Sequence, residues 1–162
     1  MATVEHAISV NVPVTIAYDQ WTQFEDFPRF MDGVESVTQI DDTHVHWVAR
    51  IGGRRKEWDA EIHEQVPDRR VAWRSLSGAR NAGVVTFEPD GDQVTRVTLH
   101  MDVEPDGVVE EAGTAAGFLD RQVAGDLERF KDFIESRGEE TGGWRGEVEQ
   151  GQVRRDEVSR TR

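Results

Sequence analysis

The sequence predicts an α+β domain in which a curled, seven-stranded antiparallel sheet wraps around one long C-terminal helix. Three observations predict this fold. Alternating apolar and polar residues mark seven strands, six of them in one uninterrupted series. Two short helical segments follow the first strand, and a long amphipathic segment follows the last. Strands grouped together, with helices at the ends of the series, are typical of α+β architecture with an antiparallel sheet.

The N-terminal part begins with a strand from Val4 to Val12, because its apolar residues alternate along one face. Pro13 ends this strand, and apolar residues at helical spacing predict a helix over 15–21. A second short helix is predicted from Phe24 to Met31. It contains Pro28, a residue that helices tolerate in the first turn better than in the middle.

Turn signals divide the middle of the chain into strands. A two-residue turn at Gly52–Gly53 predicts a hairpin that sets Trp47 opposite Trp58 and His46 opposite Asp59. A four-residue turn would shift these partners by one step and keep the same two faces. The six strands are predicted at Val34–Ile40, His44–Ile51, Arg54–Val66, Arg70–Ser77, Asn81–Glu88 and Val94–Val103.

The alternation separates an aromatic and aliphatic face of the sheet from a charged one. Large rings on the inner face are interleaved with small residues such as Ala49 and Ala60. An uneven surface of this kind is able to enclose a cavity, whereas the alternative is that the long helix fills the space completely. The large side chains predicted on the inner face are Trp47, Trp58, Trp73, Phe87, Leu99 and Met101.

The C-terminal part consists of a helix and a polar segment. Apolar residues spaced by three, four or seven predict one amphipathic helix from Val108 to about residue 136, with Gly138 at its end. Residues 138–162 hold few large apolar groups, so we expect a flexible or loosely docked tail after a domain of residues 1–137. Trp144 in this tail is either an anchor for a partner or folds back onto the domain.

Composition excludes several classes of protein. With a net charge of −13, the chain does not suit a phosphate backbone or an anionic membrane surface. The absence of cysteine excludes disulfides, thiolate metal sites and a cysteine nucleophile. No signal peptide or membrane-spanning apolar run is present, so we expect a cytoplasmic protein without integral membrane association or nucleic acid. The sequence does not indicate an oligomeric state.

The outer face contains four histidines, His44, His46, His63 and His100, with carboxylates nearby. A His-x-His pair on a strand places two potential metal ligands on one side. The alternative is a solvated sheet face with His–carboxylate pairs. The spacing is not diagnostic of a metal site, and we expect neither a metal nor a cofactor.

Several motifs together resemble a known family. The chain resembles the START-like (SRPBCC) superfamily, and within it the bacterial polyketide cyclase/dehydrase and coenzyme Q-binding group, over about residues 3–136. The resemblance implies the helix-grip fold, with a deep apolar cavity between the curled sheet and the long helix, entered beside the short helices. The matching stretches are Ile8–Pro13 with Val14–Trp21, Phe24–Met31, Trp58–Ile62, Arg70–Trp73, Gly83–Phe87 and Leu127–Glu135.

The resemblance also implies which side chains line this cavity. Residues 112–117 at the start of the long helix are small, which leaves room for a ligand, lets the helix end move or simply allows close packing. The lining residues implied are Phe27, Phe30 and Met31 near the mouth, Trp47, Trp58, Trp73, Ser75, Phe87, Leu99 and Met101 on the sheet, and Phe118, Leu119 and Val123 on the helix.

These features favour binding of a ligand over catalysis, which would need polar groups at the ligand. We expect a small hydrophobic ligand, such as a quinone, a lipid or a polyketide, that the protein binds and thereby transports or sequesters. The alternative is a polyketide cyclase/dehydrase, which requires acid–base groups at the ligand. Ser75 has no histidine or carboxylate evident beside it, and Tyr18 is expected at the core edge, so we predict no catalytic residue. A second alternative is a protein-interaction or stress-related module without ligand.

Overall fold

The computed structural model describes residues 2–51, 54–78, 80–103 and 109–153, without the side chains of residues 2, 51, 109–116 and 118. The Gly52–Gly53 turn therefore lies outside the described residues. The elements are β1 (Ala2–Val10), α1 (Val14–Trp21), a 3₁₀ helix (Phe24–Arg29), β2 (Val34–Gln39), β3 (His44–Ile51), β4 (Arg54–Val66), β5 (Arg70–Gly78), β6 (Asn81–Pro89), β7 (Thr95–Val103), α2 (Val109–Arg137), β8 (Val148–Glu149) and β9 (Gln152–Val153).

The main strands form one antiparallel sheet in the order β1-β7-β6-β5-β4-β3-β2. Trp47 lies opposite Trp58 and His46 opposite Asp59, the register that a two-residue turn predicts. The pairing of β4 with β5 shifts at two places, between Asp59 and Ala60 and beyond Ile62. Such irregularities increase local twist and bend a strand. They contribute to the curl that gives the sheet a concave face.

The long helix α2 contacts β1, and its buried residues face the core. This arrangement confirms the α+β fold, in which an antiparallel sheet grips a C-terminal helix. Within the described residues, no helix combines the length and the hydropathy that crossing a bilayer requires. The buried residues of α2 recur at the predicted helical spacing and are Leu119, Val123, Leu127, Phe130 and Ile134.

Residues 138–153, which belong to the predicted tail, lie against α1 and β4. Gln20 and Thr141 exchange two hydrogen bonds, since the Gln20 amide donates to Thr141 Oγ1 (3.1 Å) and the Thr141 N–H donates to Gln20 Oε1 (2.9 Å). The backbone N–H of Trp144 donates to Thr22 Oγ1 (3.0 Å). Strand β8 pairs with β4 next to Gln65. The boundary at residue 137 stays a prediction, and residues 154–162 lie outside the described part.

Arg145 joins this segment to two carboxylates of the domain. Its guanidinium lies 2.6 Å from Asp19 Oδ1 and 2.8 Å from Asp68 Oδ2, and it stacks over the ring of Tyr18. Burial raises the pKa of Asp19 to about 6, an effect that Arg145 partly offsets and that the neighbouring Glu140 reinforces. The segment is thus held by paired charges as well as by hydrogen bonds.

Substitution of Arg145 tests how much this ion-pair contact stabilises the protein. In Arg145→Ala, both carboxylates lose their counter-charge, and charge-assisted hydrogen bonds contribute about 1.5–3 kcal/mol each. We expect the free energy of unfolding to fall by about 1–3 kcal/mol in urea titrations at neutral pH. Arg96→Ala, which removes an exposed arginine of β7, serves as the control. Equal losses in both variants would contradict this role of Arg145.

The raised pKa of Asp19 predicts a pH dependence of stability. The folded protein keeps this proton up to about pH 6, whereas the unfolded chain releases it near the ordinary value of 3.8. Between these values the folded state binds more protons, so the contribution of Asp19 to the free energy of unfolding falls as pH rises from about 4 to about 6. Asp19→Asn should lack this fall when both proteins are unfolded by urea across the range. Parallel curves for the two proteins would refute the assignment.

Candidate functional site

An internal cavity of about 90 Å³ lies between the concave face of the sheet and α2. Every main strand from β2 to β7 contributes to its wall, together with α1, the 3₁₀ helix and α2. The lining is almost entirely apolar and includes four indole rings. The lining residues are Trp21, Phe24, Phe27, Met31, Val34, Trp47, Ala49, Trp58, Ile62, Val71, Trp73, Val85, Leu99, Met101, Leu119, Gln122, Val123, Asp126 and Leu127.

The indoles of Trp47 and Trp58 form the centre of the sheet wall. They lie directly opposite each other on β3 and β4, and their rings stack at 5.6 Å with an angle of 8° between the planes. Facing residues on paired strands bring their side chains together in this way. Trp73 on β5 extends the wall, and its N–H donates to Asn81 Oδ1 (3.0 Å).

The helical side of the wall depends on contacts between aromatic rings. Trp21 on α1 contacts Phe27 in the 3₁₀ helix and Phe130 on α2, with ring centroids 5.2 Å and 5.3 Å apart, respectively. Phe27 also contacts Trp47 across the cavity wall at 5.6 Å. Tilted and edge-to-face rings pack favourably at these separations. The contacts fix the position of the helices relative to the sheet.

Two polar side chains, Gln122 and Asp126, interrupt the apolar lining from consecutive turns of α2. The Gln122 amide donates to the carbonyl of Arg50 (3.1 Å), while its Oε1 is buried without a hydrogen-bond partner among the described residues. Asp126 accepts a hydrogen bond from the Asp32 N–H (3.2 Å) and pairs with Arg129. Burial raises the pKa of Asp126, and Arg129 partly opposes this effect.

Three of the four indoles have N–H groups that lack a partner. Among the described residues, the N–H groups of Trp21, Trp47 and Trp58 are buried and make no hydrogen bond. The Trp21 and Trp58 side chains are each only 4% exposed. An unsatisfied buried donor costs about 1–3 kcal/mol of stability. The cavity wall is therefore less stable than an apolar wall of the same shape would be.

The structure brings together nine of the thirteen side chains that the sequence predicts around a cavity. That any of them binds a ligand stays a prediction, and the side chain of Phe118 lies outside the described part. The nine are Phe27, Met31, Trp47, Trp58, Trp73, Leu99, Met101, Leu119 and Val123.

The other three predicted residues lie away from the cavity. Phe30 is buried against Phe130 (5.2 Å), because it follows the last residue of the 3₁₀ helix and faces α2. Phe87 packs edge-on against Tyr18 (5.4 Å), which covers this end of the sheet. Ser75 lies towards the end of β5, where its Oγ accepts a hydrogen bond from the Asn81 N–H (3.1 Å).

Ten residues that line the cavity were not predicted from the sequence as site residues. The five from strands lie on the inner face of the sheet, so strand alternation was able to find them, although no face was predicted for the strand that contains Val34. Gln122 and Asp126 gave no such signal, because polar residues beside an apolar helical stripe are ordinarily solvent-exposed. The ten are Trp21, Phe24, Val34, Ala49, Ile62, Val71, Val85, Gln122, Asp126 and Leu127.

Three of the four outer-face histidines, His44, His46 and His100, lie within ion-pair distance of carboxylates. His46 Nδ1 lies 2.7 Å from Asp59 Oδ1, and its Nε2 lies 2.9 Å from Glu57 Oε1. These hydrogen bonds raise the pKa of His46, and the bond to Asp59 has the larger effect. In the part of the chain that the structure describes, no group of three or more histidine or acidic side chains is arranged to hold a metal ion.

Comparison with known proteins identifies relatives in sequence and in structure. An uncharacterised 17.2 kDa protein of Streptomyces lincolnensis is 58% identical over 149 residues, which cover 91% of this chain and 99% of the relative. The crystal structure of the Zhui aromatase/cyclase from a Streptomyces species matches with a TM-score of 0.71 at 17% identity, over 88% of this chain and 98% of that one.

A START superfamily protein from Mycobacterium smegmatis has the same fold, with a TM-score of 0.69 at 11% identity over 85% of this chain and 99% of the other. At these identities, the two solved structures support the fold alone. The sequence model of the family described as polyketide cyclase/dehydrase and lipid transport matches residues 10–132. Because this match extends over more than half of the chain, the protein belongs to the polyketide cyclase/dehydrase and lipid transport family.

Proposed function

We propose that this protein binds a small hydrophobic molecule in the cavity between the sheet and α2. The observation that supports the proposal is an internal cavity whose lining is apolar except for Gln122 and Asp126. Ligand sites are typically concave and apolar, with a few polar groups that orient the ligand. An apolar site between a sheet and a helix shields most of its ligand from water, which suits transport or sequestration of a poorly soluble molecule.

The size of the cavity limits what enters without movement of the wall. Pockets for drug-sized ligands measure about 300–1,000 Å³, whereas an engineered cavity of about 150 Å³ holds one benzene ring. At about 90 Å³, the cavity suits the ring of a quinone or a similar molecule after a small displacement of side chains. A fatty acyl chain, an isoprenoid tail or an extended polyketide requires the helices to move away from the sheet.

A polyketide cyclase/dehydrase is a second candidate, and Gln122 and Asp126 are the observation that favours it. Acid–base catalysis needs at least one group that exchanges a proton at the substrate, positioned in a site of low polarity. The buried carboxyl of Asp126, with its raised pKa, is suited to remove a proton next to a carbonyl or to protonate a departing hydroxyl. Gln122 is suited to orient the substrate. A related structure is named an aromatase/cyclase.

Direct binding measurements test the proposed function. We expect native mass spectrometry of the gently purified protein to detect a co-purified small molecule. We also expect quinones of increasing size to quench the fluorescence of the cavity tryptophans in a saturable way. The absence of both signals across a panel of quinones and fatty acids would contradict the proposal and favour the protein-interaction alternative.

A substitution that fills the cavity tests ligand binding independently of folding. Ala49→Leu adds three carbon atoms to a buried residue of the cavity wall, so the side chain occupies space that the ligand needs. We expect at least a tenfold weaker affinity for a small quinone, while the melting temperature of the ligand-free protein changes by a few degrees only. Ala7→Leu makes the same chemical change at an exposed position of β1 and should leave affinity unchanged. Undiminished binding by Ala49→Leu would place the ligand elsewhere.

Substitution of Asp126 tests the cyclase/dehydrase candidate. If the carboxyl transfers a proton, Asp126→Asn should slow the dehydration of a β-hydroxy ketone about 10²-fold or more while the affinity for the ketone changes little. Glu128→Gln removes an exposed carboxylate of the same helix and is the matched control. The reaction is followed by the absorbance of the enone product. If neither the original protein nor its variants accelerate the reaction, the result contradicts the cyclase/dehydrase candidate.

A further inference from the structure

We propose that the cavity selects ligands that carry an acceptor oxygen, above all a carbonyl, which accepts a hydrogen bond from the unsatisfied indole donors of the wall. The inference rests on the proposed function, since it concerns the chemistry of the molecule that the cavity binds. The donors are the N–H groups of Trp21, Trp47 and Trp58.

Half of the unsatisfied buried polar atoms of the described residues belong to side chains that line the cavity. Among the described residues, eight buried side-chain nitrogen or oxygen atoms lack a hydrogen-bond partner, and four of them belong to residues that line the cavity. Three of these four are donors, and the fourth is the acceptor Gln122 Oε1. Buried polar groups in proteins are normally satisfied. A group of unsatisfied donors around one cavity indicates that a bound molecule supplies the missing acceptor.

The fourth indole of the wall provides an internal comparison. Trp73 lines the same cavity, yet its N–H donates to Asn81 Oδ1 at 3.0 Å. The fold is therefore able to satisfy a cavity indole with a protein acceptor. It does not do so for Trp47 and Trp58, whose stacked rings lie together on the wall.

The same atoms define what a well-matched ligand looks like. A flat ring fits against the stacked indoles. Because each indole nitrogen has almost no surface accessible from the cavity, a carbonyl on that ring accepts from one of the three N–H donors only after the same small displacement of side chains that admits the ring. A hydroxyl on the ligand is able to donate to Gln122 Oε1, whose amide nitrogen is already held by Arg50. A plain hydrocarbon of the same shape satisfies none of these atoms. The geometry thus favours an oxygenated ring over a saturated chain.

Two molecules of nearly the same shape test this selection. Acetophenone carries a carbonyl oxygen where α-methylstyrene carries a methylene group, so the difference between their affinities is the net effect of the acceptor, including the loss of its hydration. We expect acetophenone to bind about three- to tenfold more tightly, the effect of one net hydrogen bond. In ¹H–¹⁵N spectra, we expect acetophenone, but not α-methylstyrene, to shift at least one cavity indole N–H resonance downfield.

Conservative variants identify the donor. Trp21→Phe, Trp47→Phe and Trp58→Phe each remove one N–H while keeping an aromatic ring, and we expect one of them to abolish the preference for acetophenone. Trp73→Phe removes an N–H that is already paired and should retain the preference. The spectra of the unsubstituted protein give an independent answer if a variant fails to fold.

The possible outcomes separate this inference from the proposed function. Equal affinity of the two molecules, without a downfield indole shift, would overturn the selection for an acceptor oxygen and leave the proposed binding function intact. If neither molecule binds and the quinone panel also fails, the proposed function and this inference are both overturned. A preference that persists in all three cavity variants would show that indole donors are not its cause.

Discussion

The ring contacts of Trp21 hold the helical elements at a fixed distance from the sheet, and the cavity depends on that distance. Trp21 contacts Phe27 of the 3₁₀ helix and Phe130 of α2, and Phe30 fills the space beside them. Interlocked aromatic rings of this size are not readily compressed. Opposite them the sheet presents the small side chain of Ala49 between larger ones. The space between the two walls is the cavity.

The sheet and its wall of the cavity were predictable because strand alternation is a local property of the sequence. The two-residue turn predicted from the sequence gives the pairing of Trp47 with Trp58 that the two strands have, and a period of two then assigns every residue to one face. The positions of Gln122 and Asp126 were not predictable in the same way. Their partners, the Arg50 carbonyl and the Asp32 N–H, are 72 and 94 residues away in sequence. Only the packing of α2 against the β2–β3 region places these polar groups inside.

The segment from 138 to 153 illustrates a different limit of sequence reasoning. Composition indicates how much apolar surface a segment buries, and this segment has little to bury. Its contacts with the domain include the pairing of β8 with β4 at the fully buried Val148 and specific polar pairs, such as Arg145 with Asp19, separated by 126 residues. The average composition of a segment does not identify single charged pairs. Because these pairs involve α1, the segment also supports the helix from which Trp21 projects into the cavity wall.

The polar atoms of the cavity wall connect stability with binding. Phenylalanine at Trp58 would keep most of the packing and remove a buried N–H that makes no hydrogen bond among the described residues, so an apolar wall would be the more stable choice. Local departures from the most stable arrangement are typical of functional sites. A molecule that satisfies these atoms binds only the folded chain and therefore stabilises it in proportion to the logarithm of its concentration. Under the proposed function, the polar groups that lower the stability of the free protein are the groups through which a ligand restores it.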